Sequence, residues 1–192
     1  MVSAIADAAV IRASWDDADR FAALYDRYAD QLWRYAYQRV GAHVAEDVVA
    51  DTFAAAFRRR RSYDLARPDA RPWLFGILTR KLVDHHRAER TRLRALARVP
   101  VESTVDGPAD RVAARVTADR TRGALAAALA GLRAGDRDVL LLTAWSGLTY
   151  DEVAAALAIP PGTVASRLNR ARRRVREALG GTDPTLDLEE NQ

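Results

Sequence analysis

The chain has no cysteine among its 192 residues, one methionine and only three histidines. Without cysteine there is no disulfide, no thiol nucleophile and no cysteine-ligated zinc. The adjacent pair His85–His86 is a lone dyad and weak evidence for a metal, so surface or backbone contacts suit it better. No apolar run is long enough to cross a bilayer, so no membrane insertion is expected. Residues 1–15 hold one Arg and no lasting apolar core, which makes a poor signal peptide. Nucleophile–base pairs, glycine-rich phosphate loops and metal-ligand spacings are missing as well. The sequence thus suggests no enzyme, no cofactor and no metal. Lysine is nearly absent, Lys81 being the only one among 30 basic residues, which reflects coding composition. Alternating β-branched residues are also lacking. The long Ala/Leu/Arg stretches, with 49% hydrophobic residues overall, therefore predict an all-α, soluble, cytoplasmic protein.

What is present is segregated charge. Residues 1–53 carry five basic against nine acidic side chains, and 54–100 carry thirteen against four. Residues 149–180 carry six against three, and the tail 181–192 none against four. Basic blocks suit phosphate partners, and the acidic N-terminal part suits a different, basic partner.

Apolar positions at three- and four-residue spacing place helices along the same segments. Phe21, Leu24, Tyr25, Tyr28, Leu32, Tyr35 and Ala36 form one stripe, which Gly41 ends. A second helix is expected from about Val44, with Val48, Val49, Thr52, Phe53, Ala56 and Phe57 inward. Residues 62–72 read as a loop, and Pro72 can open the next helix, with Trp73, Leu74, Ile77, Leu78, Leu82 and Val83 inward. Two small helical domains follow, 15–95 and 117–180. A flexible linker over 96–116 joins them, and an acidic, frayed tail over 181–192 ends the chain.

The sharpest local signal lies in residues 148–179. Thr149 and Glu152 have capping-box spacing, and Leu148 and Val153 stand at hydrophobic-staple positions. Val153, Ala154 and Leu157 form a packing face, Ile159–Pro160 makes a turn, and Pro161 can start the next helix. There Val164, Leu168, Ala171, Val175 and Ala178 form the seam, leaving Thr163, Ser166, Arg167, Arg170, Arg173 and Arg174 as candidate DNA contacts. A short capped helix, a tight turn and a longer Arg-faced helix make a helix-turn-helix, although an αα-hairpin with a solvated basic face has the same outline.

This segment, LTYDEVA followed by PPGTVASRLNRARRR, resembles region four of the extracytoplasmic-function (ECF) sigma factors. Independently, FAALYDRYADQLWRYAYQRV and AEDVVADTFAAAF resemble the region-two helices, and RPWLFGILTRKLVDHHR resembles the promoter helix of that family. Two departures stand out. Ala158 occupies a turn position where the family often has glycine, so a left-handed backbone there would carry about 1 kcal/mol of strain. Ala165 stands where a basic residue is usual.

The resemblance implies a sigma factor: region two binds the clamp coiled coil of core RNA polymerase and the minus-ten promoter element, and region four binds the minus-thirty-five element and the flap. An anti-sigma factor is a further candidate partner. By position Glu46, Asp47, Asp51 and Thr52 would face the polymerase. Glu46 and Asp47 would equally suit a helix N-terminus, which does not account for Asp51. Tyr63, Asp64, Arg67 and Asp69 would capture an unstacked base, and Arg80, Lys81 and Arg87 would hold the phosphates of the minus-ten strand. The rivals are a helix-turn-helix repressor or response-regulator output domain, and a helical adaptor. Neither needs both an acidic docking face and a basic promoter helix.

Overall fold

In the computed structural model, residues 5–96 and 123–180 are described, and among them every regular element is helical. α1 (Asp7–Ala13) and a 3-10 turn (Ala18–Phe21) precede α2 (Ala22–Val40) and α3 (Ala42–Arg59). A second 3-10 turn (Arg60–Ser62) leads through a loop to α4 (Arg71–Leu96). Residues 123–130 form α5, followed by α6 (Ala134–Ser146), α7 (Tyr150–Leu157) and α8 (Pro161–Ala178). The expected linker falls largely outside the described residues, as does the acidic tail.

Local chemistry explains the boundaries. Gly41 separates α2 from α3 with φ 77°, a conformation that costs a side-chain-bearing residue but not glycine. This lets α3 begin at Ala42, two residues before the sequence pattern predicts. Asp69 starts α4 by accepting from the Arg71 amide at 2.8 Å, which places Pro72 second in the helix. The expected α2 stripe is narrower than its sequence spacing. Leu24, Leu32, Tyr35 and Ala36 are buried, whereas Tyr25 is 52% exposed and leans its ring on Phe53.

The two expected domains share one apolar core. It runs from Ile11, Leu24, Tyr35 and Phe75 into Leu142, Leu148, Val153 and Ala156 without a polar break. Gly76 makes this possible. A Cβ there would fall far inside van der Waals contact of the Ala156 carbonyl oxygen and 3.1 Å from its carbon, so α4 and α7 meet backbone to backbone. Arg39 on α2 reaches Asp138 on α6 at 2.8 Å, with both side chains nearly fully buried. The Arg71 guanidinium donates to the Ser146 carbonyl at the end of α6, at 2.6 Å.

Candidate nucleic-acid interface

The helix-turn-helix forms as its caps dictate. The Thr149 hydroxyl accepts from the Glu152 amide at 3.3 Å, and the Glu152 carboxylate accepts from the Thr149 amide at 2.7 Å. Two amides that a helix start would leave unpaired are thereby satisfied. Leu148 and Val153, at the staple positions, are both buried. Ala158 ends α7 in the left-handed region at φ 53°, ψ 48°, the one non-glycine residue described with positive φ. Pro161 opens α8, whose Val164, Leu168, Ala171 and Val175 are buried.

The outward face of α8 differs from the expected one. Arg170 turns back to α6, where its Nε and Nη2 donate to the two oxygens of Asp136 at 2.7 and 2.6 Å. The Asp136 side chain is 3% exposed, and the paired guanidinium holds its carboxyl below the usual carboxylate range. The Arg167 guanidinium lies over Gly135 in the same first turn of α6. Arg170 therefore does not point outward in this structure. Sequence spacing alone put it on the solvent face, because α6 had no predicted acceptor. Ser166, Asn169, Arg172, Arg173 and Arg174 are exposed, with Thr163 half-buried beside them. Asn169, three residues from Ser166, stands on the same exposed face.

The loop between α3 and α4 is built as a rigid bracket. The Tyr63 hydroxyl donates to the carbonyls of Arg67 and Asp69 at 2.8 and 3.0 Å, and its ring packs on Trp73. Tyr63 is only 6% exposed, and burial beside Asp7 and Asp69 pushes its phenol up to about 12. Its expected role as a stacking surface is thus corrected: Tyr63 shapes the loop from inside. Asp69 caps α4 and also accepts from the Tyr28 hydroxyl at 3.1 Å, so this carboxylate is occupied. Behind it lies Asp7, buried, which accepts from Arg27, Tyr28 and the Ala70 amide. Nothing in the sequence pattern marked Asp7, whose partners lie twenty and more positions away. Asp64 and Arg67 remain exposed, paired with each other at 3.3 Å, and Trp73 is half-buried.

Along α4, Arg80 and Arg87 are exposed, while Lys81 is half-buried and pairs with Asp51 at 3.3 Å. The structure thus brings together two residues that the sequence assigned to different partners. Glu46, Asp47 and Asp51 are exposed on one side of α3. Thr52 is not: it is fully buried and its hydroxyl donates to the Val48 carbonyl at 2.7 Å, so it does not share that exposed face. Among the described residues no cluster of acidic, His or Cys side chains could hold a metal, and no helix is long and apolar enough to cross a membrane.

Residues 24–92 match the family Sigma-70 region 2, and residues 122–175 match Sigma-70, region 4. The ECF RNA polymerase sigma factor SigL of Mycobacterium tuberculosis is 36% identical over 186 residues, spanning 92% of this chain and 93% of that protein. Among solved structures, CnrH in complex with the cytosolic domain of CnrY superposes with a TM-score of 0.64 at 29% identity, covering 91% of this chain and 97% of that one. The sigma factor RpoE of Bartonella quintana, in complex with the anti-sigma factor NepR, gives 0.60 at 27% identity, covering 83% and 96%.

Proposed function

This chain belongs to the ECF sigma factors, subunits that bind core RNA polymerase and direct promoter-specific initiation, and from that we propose how its residues divide the work. Residues 15–95 serve as region two and 117–180 as region four. The exposed Glu46, Asp47 and Asp51 on α3 meet the basic clamp coiled coil, and region four meets the flap. Asp64 and Arg67 at the loop rim, with Arg80, Lys81 and Arg87 on α4, hold the minus-ten strand. Thr163, Ser166, Asn169, Arg173 and Arg174 on α8 contact the minus-thirty-five element, Ser166 and Asn169 by base edges and the arginines by phosphates. The polymerase supplies all chemistry, so this chain catalyses nothing and works in the cytoplasm beside the genome. An anti-sigma protein is a partner of the same class as the one RpoE binds.

The observation that carries this division is the placement of opposite charges on separate helices. The acidic triplet stands exposed on α3, whereas exposed arginines stand on α4 and α8. A repressor or adaptor has no use for the acidic face. In vitro transcription with core polymerase tests it, using Asp47→Arg combined with Asp51→Arg. Like-charge repulsion should abolish holoenzyme assembly, with helical content retained. Undiminished affinity for core polymerase in a fluorescence titration would remove docking from this face.

A further inference from the structure

The loop between α3 and α4 is held from outside by the N-terminal segment. Residues 5–15 lie across it as a strap, with α1 in the middle. At one end the Trp15 indole donates to the Arg60 carbonyl at 3.2 Å, where α3 passes into the loop. Arg60 and Arg61 return the contact, donating to the carbonyls of Ser14 and Trp15, each at 3.2 Å. At the other end the Ala8 amide donates to the Pro68 carbonyl at 3.4 Å. Beside it the Asp7 carboxylate accepts from the Ala70 amide at 2.8 Å. Entrance and exit of the loop are thus tied to one helix of 7 residues, about 10 Å long.

Asp7 makes the tie at the exit directional. Its side chain is 5% exposed, and besides the Ala70 amide it accepts from Arg27 and Tyr28 of α2 at 2.6 and 2.5 Å. A buried carboxylate is costly to desolvate, and an apolar side chain of similar volume often serves stability as well. An apolar side chain supplies no direction, however. Two oxygens bonded to three donors fix the Ala70 backbone in angle as well as distance. Tyr63 closes the loop on itself through the carbonyls of Arg67 and Asp69. A loop closed on itself can still swing as one body about its two ends, and Asp7 removes that swing.

We infer that Asp7 is a positioning residue for base reading, fixing the loop's exit so that Asp64 and Arg67 meet an unstacked base in one geometry. This rests on the sigma-factor division of labour above. Asp7 is buried behind the loop and acts through it, touching no DNA itself. A well-placed edge contact discriminates between bases by roughly five- to 150-fold. It does so only when held to within about 0.5 Å, which a swinging loop does not provide.

Asp7→Leu keeps the side-chain volume and removes both oxygens. Asp7→Asn can keep one oxygen on Ala70 and Tyr28 by turning its amide nitrogen toward Arg27, which is 31% exposed and can swing into water. Ile11→Val loosens the fully buried side of the same helix without touching the loop, and is the control. Holoenzyme formed with each variant is assayed on promoters that differ at single downstream-element positions. Asp7→Leu should bind core polymerase as the wild type does, but lose about tenfold in discrimination at one position. Asp7→Asn should keep most of that discrimination, and Ile11→Val all of it. In the free chain, amide hydrogen exchange at Ala70 and its loop neighbours should be about tenfold faster in Asp7→Leu than in Ile11→Val. Should Asp7→Leu not fold, Asp7→Ala, which leaves room for water, gives the same comparison. An unchanged base ranking in the Leu or Ala variant would overturn the inference and leave the sigma-factor reading standing. Equal losses in that variant and Ile11→Val would overturn it too, reducing Asp7 to a stabiliser of the fold. A wild type that initiates nothing with core polymerase would strike the sigma-factor reading instead, while hydrogen exchange still decides whether Asp7 holds the loop.

Discussion

Removing one member of the Arg39–Asp138 pair should cost far more than removing both. Arg39 is 4% exposed and Asp138 9% exposed, at 2.8 Å from each other. Arg39 also donates to the Tyr35 hydroxyl at 3.0 Å, beside a phenol whose pKa burial has raised. Asp138→Ala would leave a guanidinium in apolar surroundings, and such losses run to about 3–5 kcal/mol, whereas replacing both charges by apolar side chains is often neutral. For Asp138→Ala we take the lower figure, about 3 kcal/mol, because relaxation between the two helices that the pair bridges would let water reach the guanidinium. For a protein of this size that is a melting temperature lower by roughly 6–12 °C. Arg39→Met should behave alike, and the double variant should lie within about 1 kcal/mol of wild type, giving a coupling of several kcal/mol in a double-mutant cycle. Thermal unfolding followed by circular dichroism measures it. Parting of the halves would show as two transitions in place of one. A single transition shifted by less than about 2 °C in Asp138→Ala, with strictly additive costs in the double variant, would refute the reasoning.

Two further outcomes follow from particular backbones and charges. Ala158→Gly should stabilise the protein by about 0.5–1 kcal/mol, since the left-handed conformation at φ 53° costs alanine more than glycine's extra chain entropy; a melting temperature that fails to rise by a few degrees speaks against strain at the turn. Asp136, whose pKa is lowered by the Arg170 hydrogen bonds, contributes stability that is present above its unfolded-state pKa and lost as pH falls through the lower folded value. Asp136→Asn should therefore lower stability at neutral pH and flatten its decline on acidification, seen in melting temperature from pH 7 to about pH 3; an unchanged acid profile would show that the pair is not coupled to folding.

Much of the local order follows from sequence alone, because the interactions that set it are short-range. The capping box at Thr149–Glu152, the proline that opens α8, the break at Gly41 and the inward stripe of Leu24, Leu32 and Tyr35 each depend on residues within a turn or two of one another. The same holds for the separation of acidic α3 from basic α4 and α8, which is written in composition. The αL strain at Ala158 could also be foreseen, since its neighbours require the turn whatever residue occupies it.

Partners distant in sequence were not legible. Whether Arg170 faces solvent or turns inward depends on a carboxylate 34 positions away, and helical periodicity describes a face without saying what stands opposite. Thr52 satisfies its hydroxyl on its own helix and Tyr63 closes its own loop, so residues whose types suit binding became structure instead. Buried Asp7 holds α2 and the α4 loop in place through partners that only the fold supplies. The sequence by itself determined where the helices around Gly41 and the helix-turn-helix lie and which charges they carry. Only the tertiary structure decided that a missing Cβ at Gly76 would let α4 touch the backbone of α7, since close approach is a property of two surfaces and appears in neither alone.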